Sequence, residues 1–193
     1  PRAIREASTL QPCDAPFGWD INPLLDFDIV DYGDLAFDYA NVAAFPKRLT
    51  DHIRGILEHG SGVLSFGGDH YVTFPILRAF VEKFGPIALV HFDAHSDTWP
   101  DDDMERIDHG TMFYKALKEE LIIPDKSVQI GIRTHNDFNA GVHVIAAPQV
   151  HSQTPSMTAS QIKDIVGNHP VYLTFDIDCL DPAFAPGTGT PVW

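Results

Sequence analysis

Apolar residues recur along this chain in two rhythms. Between Pro46 and His59, Leu49, Ile53, Ile56 and Leu57 follow the i, i+4, i+7, i+8 stripe of an amphipathic helix. Pro46 suits its first turn and Gly60 ends it. Phe74 to Phe84 is a second helix, with Ile76, Leu77, Phe80 and Phe84 toward the core and Gly85-Pro86 as its stop. A third runs from Thr158 to Val166, with Thr158 and Gln161 as a capping box and Met157 against Ile162 as a staple. Asp108-His109-Gly110-Thr111 starts a helix reaching about Glu120, and Ala3 to Ser8 forms a short one.

The second rhythm is continuous rather than periodic. Pro86 to Phe92 is an apolar run broken only by His91, Val63 to Phe66 one broken only by Ser65, and Val171 to Phe175 is apolar except for Thr174. Ser127 to Arg133, Val142 to Ala146 and Asp28 to Leu35 read as further strands. Strands buried on both faces lack the polar alternation of half-exposed ones. Strand and helix alternate, so the pattern predicts one α/β domain over residues 1–193, a three-layer α/β/α arrangement around a mostly parallel sheet.

Charge and cysteine content narrow the function classes. The formal net charge of −14 argues against nucleic acid and anionic membrane surfaces, and is compatible with a cationic substrate or bound metals. Plain solubility is an equal explanation of it. No apolar run approaches the roughly 20 residues that span a bilayer. Cys13 and Cys179 are too few for a disulfide framework. Cys179 reads as a buried thiol, which suits a reducing, cytoplasmic setting.

Chemistry concentrates where apolar runs end. Pro86 to Phe92 passes directly into Asp93, His95 and Asp97, whose alternate spacing puts their side chains on one side of an extended segment. Val63 to Phe66 ends in Gly67-Gly68-Asp69-His70, where the glycines allow a sharp turn that aims His70 back over the strand end. Val171 to Phe175 delivers Asp176, Asp178 and Asp181. In open α/β sheets, sites gather at strand C-termini, so these three clusters converge although they lie far apart in sequence. Two His with several Asp is too rich in carboxylate for a structural zinc site. It suits manganese, iron or zinc, and bridging carboxylates favour two ions roughly 3.5–4 Å apart. His91 shares the parity of Asp93 but is read as a core or supporting histidine.

These residues also carry a resemblance. Gly67-Gly68-Asp69-His70, Asp93-Ala94-His95-Ser96-Asp97, and Phe175 to Pro182 followed by Ala185-Pro186-Gly187-Thr188-Gly189-Thr190-Pro191 are similar to the ureohydrolase (arginase/agmatinase) family. His109 to Tyr114, Val128 to Arg133 and Pro170 to Pro191 resemble its bacterial agmatinase branch most. The resemblance implies an arginase-type fold and manganese-dependent hydrolysis of agmatine to putrescine and urea by a metal-bridging hydroxide. It implies two Mn2+ ions, one on His70, Asp93, Asp97 and Asp176, the other on Asp93, His95, Asp176 and Asp178. Asp178 would also orient the hydroxide and pass on its proton. His109 would shuttle protons at the substrate, Asp181 would support the metal shell, and Thr190 would line the guanidinium pocket. A homo-oligomer, trimer or hexamer, is implied as well.

The resemblance further implies that the family's N-terminal segment and its part beyond Pro191 are missing, including a glutamate that contacts the guanidinium. The chain therefore reads as a fragment with complete metal ligands, an incomplete substrate pocket, and exposed strand edges and core surface. The acidic loop from Trp99 to Asp108, with Asp101, Asp102, Asp103 and Glu105, is a place where selectivity for a cationic tail can arise. Guanidinobutyrase, guanidinopropionase or arginase activity, a non-catalytic metal-binding relative, and a purely structural domain stay open as rivals.

Overall fold

Four short parallel strands frame the molecule: β1 (Ala88–Phe92), β2 (Val128–Ile130), β3 (His143–Ile145) and β4 (Val171–Phe175), side by side in the order β3-β2-β1-β4. The computed structural model describes residues 1–9, 15, 17–138 and 140–193. Its helices are α1 (Arg2–Ser8), α2 (Pro23–Asp26), α3 (Phe45–Glu58), α4 (Thr73–Phe84), α5 (Met112–Lys118), α6 (Ala147–Ser152) and α7 (Pro155–Val166). Cys179 is a half-buried free thiol. Cys13 lies outside the described residues.

The continuous apolar run of β1 has the predicted cause, burial on both faces. Ala88 and Val90 pack with Val128, Ile130 and Ile145 against Val166, Ile162 and Ile165 of α7 and Val150 of α6. Leu89 points the other way, onto Phe74 and Leu77 of α4 and Met112, Phe113 and Ala116 of α5. Behind α4 lies α3, which buries Leu49, Ile53 and Leu57 against Ile76 and Ala79. Each fully buried Val, Leu, Ile, Met or Phe among them contributes about 1.5–3 kcal/mol. The helical layers therefore hold a sheet whose β2 and β3 ladders are only three residues long. At β4 the cover is one-sided: Val171, Leu173 and Phe175 are exposed, and Tyr172 packs inward against Phe80.

Two expected strands do not form. Asp28 to Leu35 and Val63 to Phe66 pair with no neighbour among the described residues, although their sequences suit a sheet. A strand exists only by virtue of a partner's backbone, which no local pattern supplies. The expected cap of α7 is also displaced. Its N-cap is Thr154, whose hydroxyl accepts from Met157 N at 3.3 Å, with Pro155 in the first turn. Thr158 and Gln161 instead receive the side-chain amide of Gln153, at 2.8 and 3.2 Å, and Met157 is exposed. The helix expected to run from Asp108 to about Glu120 begins as a tight turn over His109–Thr111, capped by Asp108, and continues as α5.

Candidate metal centre

The ladder carries one residue beyond the strands and thereby seats two carboxylates. Asp93 N donates to Ile130 O at 3.0 Å, and Asp176 N donates to Phe92 O at 2.8 Å. Both side chains therefore leave adjacent strand ends at fixed heights. Asp97 follows with φ of 52°, a left-handed conformation that Asp tolerates better than most residues, and its carbonyl is held by Phe113 N at 2.9 Å. His70 arrives from the other side, on a turn over His70–Val72 capped by Asp69, whose Oδ1 accepts from Tyr71 N at 2.9 Å. A side chain on Gly67 would sit 2.9 Å from Val72 Cγ2, so close approach, rather than a positive φ, requires glycine there.

Three carboxylates converge on one imidazole nitrogen. His70 Nδ1 lies 3.1 Å from Asp93 Oδ2, 3.2 Å from Asp176 Oδ2 and 3.3 Å from Asp97 Oδ2. It is buried, and none of the three meets it with hydrogen-bond geometry. The opposite nitrogen, Nε2, is 2.8 Å from Thr174 Oγ1, which sets the ring's orientation. A second group adjoins the first. His95 Nδ1 lies 2.9 Å from Asp178 Oδ2 and 3.4 Å from Asp93 Oδ1. Asp178 also accepts from Ala94 N at 3.1 Å and Thr190 Oγ1 at 2.9 Å. Ligand-type atoms thus form two knots that share Asp93.

His91 belongs to the support. Gln129 Nε2 donates to Ser96 O at 2.6 Å, which fixes the amide's orientation, and the same nitrogen reaches His91 Nδ1 at 3.1 Å. Nδ1 is therefore an acceptor, and the ring's proton sits on Nε2, 2.7 Å from Asp93 Oδ2. Fully buried, His91 orients Asp93 and keeps no lone pair for an ion.

The electrostatics fit a cation. Burial opposes a charge on His70, but Asp176, Asp93 and Asp97 outweigh it and push the imidazole up to about 11. Burial and the neighbouring Asp93 push Asp178 up to about 6. Burial, against the pull of His70, raises Asp97 too. Asp93 is lowered in spite of its burial, because His70, His91 and His95 all point at it. The group thus holds protons where it lacks positive charge. An orphaned buried Nδ1 facing three carboxylates is the environment a divalent ion relieves, and the imidazole–carboxylate donor set suits manganese, iron or zinc.

The remaining site residues divide. His109 stands at the rim with Nδ1 2.9 Å from Asp69 Oδ2, so the residue that caps the His70 turn also orients His109. Thr190 is brought in, its hydroxyl on Asp178. Asp181 is not. It is exposed, and its Oδ1 accepts from Ala183 N at 2.8 Å, closing an Asp-Pro turn. In the acidic loop, buried Lys115 donates to Arg106 O and sits 3.6 Å from Asp101, while Arg106 pairs with Asp108 at 2.8 Å. Asp102, Asp103 and Glu105 stay exposed. A cleft of about 490 Å³ is walled by Trp99, Pro100, Asn136 and Phe138, and Asn136 bonds Ser96 and Thr98 on either side of Asp97. Sequence reasoning gave no role to Gln129 or Arg133, whose partners are distant main-chain and ring atoms, nor to Asp69, quoted only as part of a motif.

A profile of the Arginase family matches residues 1–193. Among curated proteins, an agmatinase of Chromobacterium violaceum is 54% identical over all of this chain, which covers 60% of that protein. This chain accordingly spans about 60% of the length of the curated relatives it matches. Among solved structures, a hypothetical agmatinase from Burkholderia thailandensis superposes with a TM-score of 0.90 at 51% identity, over 92% of this chain and 56% of that one. Proclavaminate amidino hydrolase from Streptomyces clavuligerus does so with a TM-score of 0.86 at 40% identity, over 100% of this chain and 65% of that one.

Proposed function

This chain belongs to the arginase family, and from that premise we propose that it hydrolyses agmatine to putrescine and urea with the help of two manganese ions. The observation that carries the reading is the pair of His/Asp knots sharing Asp93, in a chain about half identical to proteins named agmatinase. His70, Asp93, Asp97 and Asp176 would hold one ion, and Asp93, His95, Asp176 and Asp178 the other. Bound there, the ions would acidify water and so supply hydroxide near neutral pH.

The chain's own residues do the rest. Asp178 accepts a proton on Oδ2, the oxygen that Thr190 and His95 already steer. His109, tethered to Asp69 through Nδ1, is free to move a proton at Nε2, and imidazole is suited to that task near pH 7. Agmatine has a guanidinium, an ammonium and no carboxylate, which accords with a net charge of −14 and with the exposed Asp102, Asp103 and Glu105 of the acidic loop. A cytoplasmic homo-oligomer completes the proposal. None of the described helices is long and apolar enough to cross a membrane.

The similarity to an amidino hydrolase of another substrate favours one alternative, a different guanidino compound at the same centre. The test is urea release by the protein that carries this sequence, with added manganese, from agmatine, arginine and 4-guanidinobutyrate. Turnover of agmatine alone is the expected result. Turnover of another member of the panel in its place selects the alternative. Two ions bound with no urea from any of the three overturns the agmatine reading.

A further inference from the structure

Every side-chain hydrogen bond of Arg133 among the described residues goes to a main-chain oxygen. Nη2 donates to Asp178 O at 2.7 Å, Leu180 O at 3.2 Å and Val192 O at 2.9 Å. Nη1 donates to Cys179 O at 3.1 Å and Gly131 O at 3.3 Å, and Nε to Val192 O at 3.2 Å. Three of these acceptors are successive carbonyls at the end of the tight turn Ile177–Cys179, where a helical turn leaves its acceptors unpaired and favours a cation. Only a planar fork of five N–H donors satisfies so many acceptors from one point.

The same stretch grips the other ligand loop. Arg133 N and Thr134 N donate to Ala94 O at 3.0 and 3.2 Å, and Thr134 Oγ1 does so at 3.0 Å. Ala94 sits between Asp93 and His95, and its own N–H reaches Asp178 Oδ1. Upstream, Gly131 has φ of +94°, and a side chain there would stand 3.2 Å from Asp93 O. Through Val192 the guanidinium also steadies the loop that carries Thr190. Two of the loops that meet at Asp178 are therefore stitched by the Arg133 guanidinium, which touches no ligand atom itself, and the third is held by the main chain of Arg133 together with Thr134.

We propose that Arg133 is a positioning residue for the second ligand group, fixing Asp178 relative to Asp93 and His95, while His70 is held by the Asp69 turn and Thr174, and Asp97 by Phe113, none of which the guanidinium touches. The proposal rests on the two-ion reading above and on nothing about the substrate. Its test is titration with Mn2+ alone, by calorimetry and electron paramagnetic resonance, of the unaltered protein, Arg133→Lys and Arg133→Met. The unaltered protein takes two ions and shows the signal of a coupled pair. In both variants the ion on His95 and Asp178 weakens by about 10–100-fold, the ion on His70 and Asp97 changes far less although it shares Asp93 and Asp176, and the coupled signal gives way to that of an isolated ion.

Lysine keeps the charge and loses the fork, so full recovery by Arg133→Lys overturns the proposal, as do unchanged affinities for both ions in Arg133→Met. Parallel weakening of both ions in a folded variant assigns Arg133 to general stability and overturns it too. Arg133→Lys is the deciding arm if Arg133→Met does not fold. An unaltered protein that binds no pair overturns the metal reading and this inference with it, whereas two ions bound without urea release leaves the inference to be judged on the variants alone.

Discussion

Asp178 accepts from Ala94 N and Thr190 Oγ1 and lies 2.9 Å from His95 Nδ1, and burial beside Asp93 still pushes it up to about 6. A proton and a metal ion compete for such a carboxylate. Because the shift is upward, Asp178 is protonated below about 6, and manganese affinity falls as the pH drops through that value. His70 is pushed up to about 11, so its proton is in place across the neutral range and must leave when an ion takes Nδ1. Calorimetry at pH 7.5 in two buffers of different ionisation enthalpy should therefore report release of about one proton or more for the ion bound at His70. Enthalpies independent of the buffer would contradict the protonated His70 cluster.

Among the elements, α7 offers a clean comparison, because two threonines compete for one role. Thr154 holds the N-cap with its hydroxyl on Met157 N, while Thr158 lies buried one turn later and serves Gln153. Thr154→Ala should cost about 1 kcal/mol, read as a lower urea midpoint with an unchanged slope. Thr154→Ser should recover most of it. A loss that serine does not recover would mean that the hydroxyl bond is not what the cap contributes.

Over the whole molecule, the site couples to the fold through β1. Its two faces anchor both helical layers, and its C-terminal end carries Asp93. An ion that binds only the folded chain must then stabilise all of it. With free manganese at a hundred times its dissociation constant, stability should rise by about 2.7 kcal/mol, seen as a higher melting temperature that a chelator reverses. A melting temperature indifferent to both additions would deny the coupling.

Much of this was legible one residue at a time. The stripe Leu49, Ile53 and Leu57 made α3 a helix, and the run from Ala88 to Val90 announced a strand covered on both faces. The end of that run placed Asp93, His95 and Asp97 where parallel sheets gather ligands, and residue chemistry marked His70 and Asp178 as their company. These features are local, because side-chain period and donor type are properties of a segment by itself.

What lies between segments was settled only in three dimensions. Val63 to Phe66 is as apolar as a strand, yet it meets no partner, while the three residues of β2 gain one on each side. Asp181 resembles Asp176 and Asp178 in sequence and turns out to close a loop. Asp69, Gln129 and Arg133 act through atoms up to tens of residues away. Hydrogen bonds of that kind depend on which backbone arrives opposite, and the physical reason they escape a linear reading is that a donor's own type does not specify its acceptor.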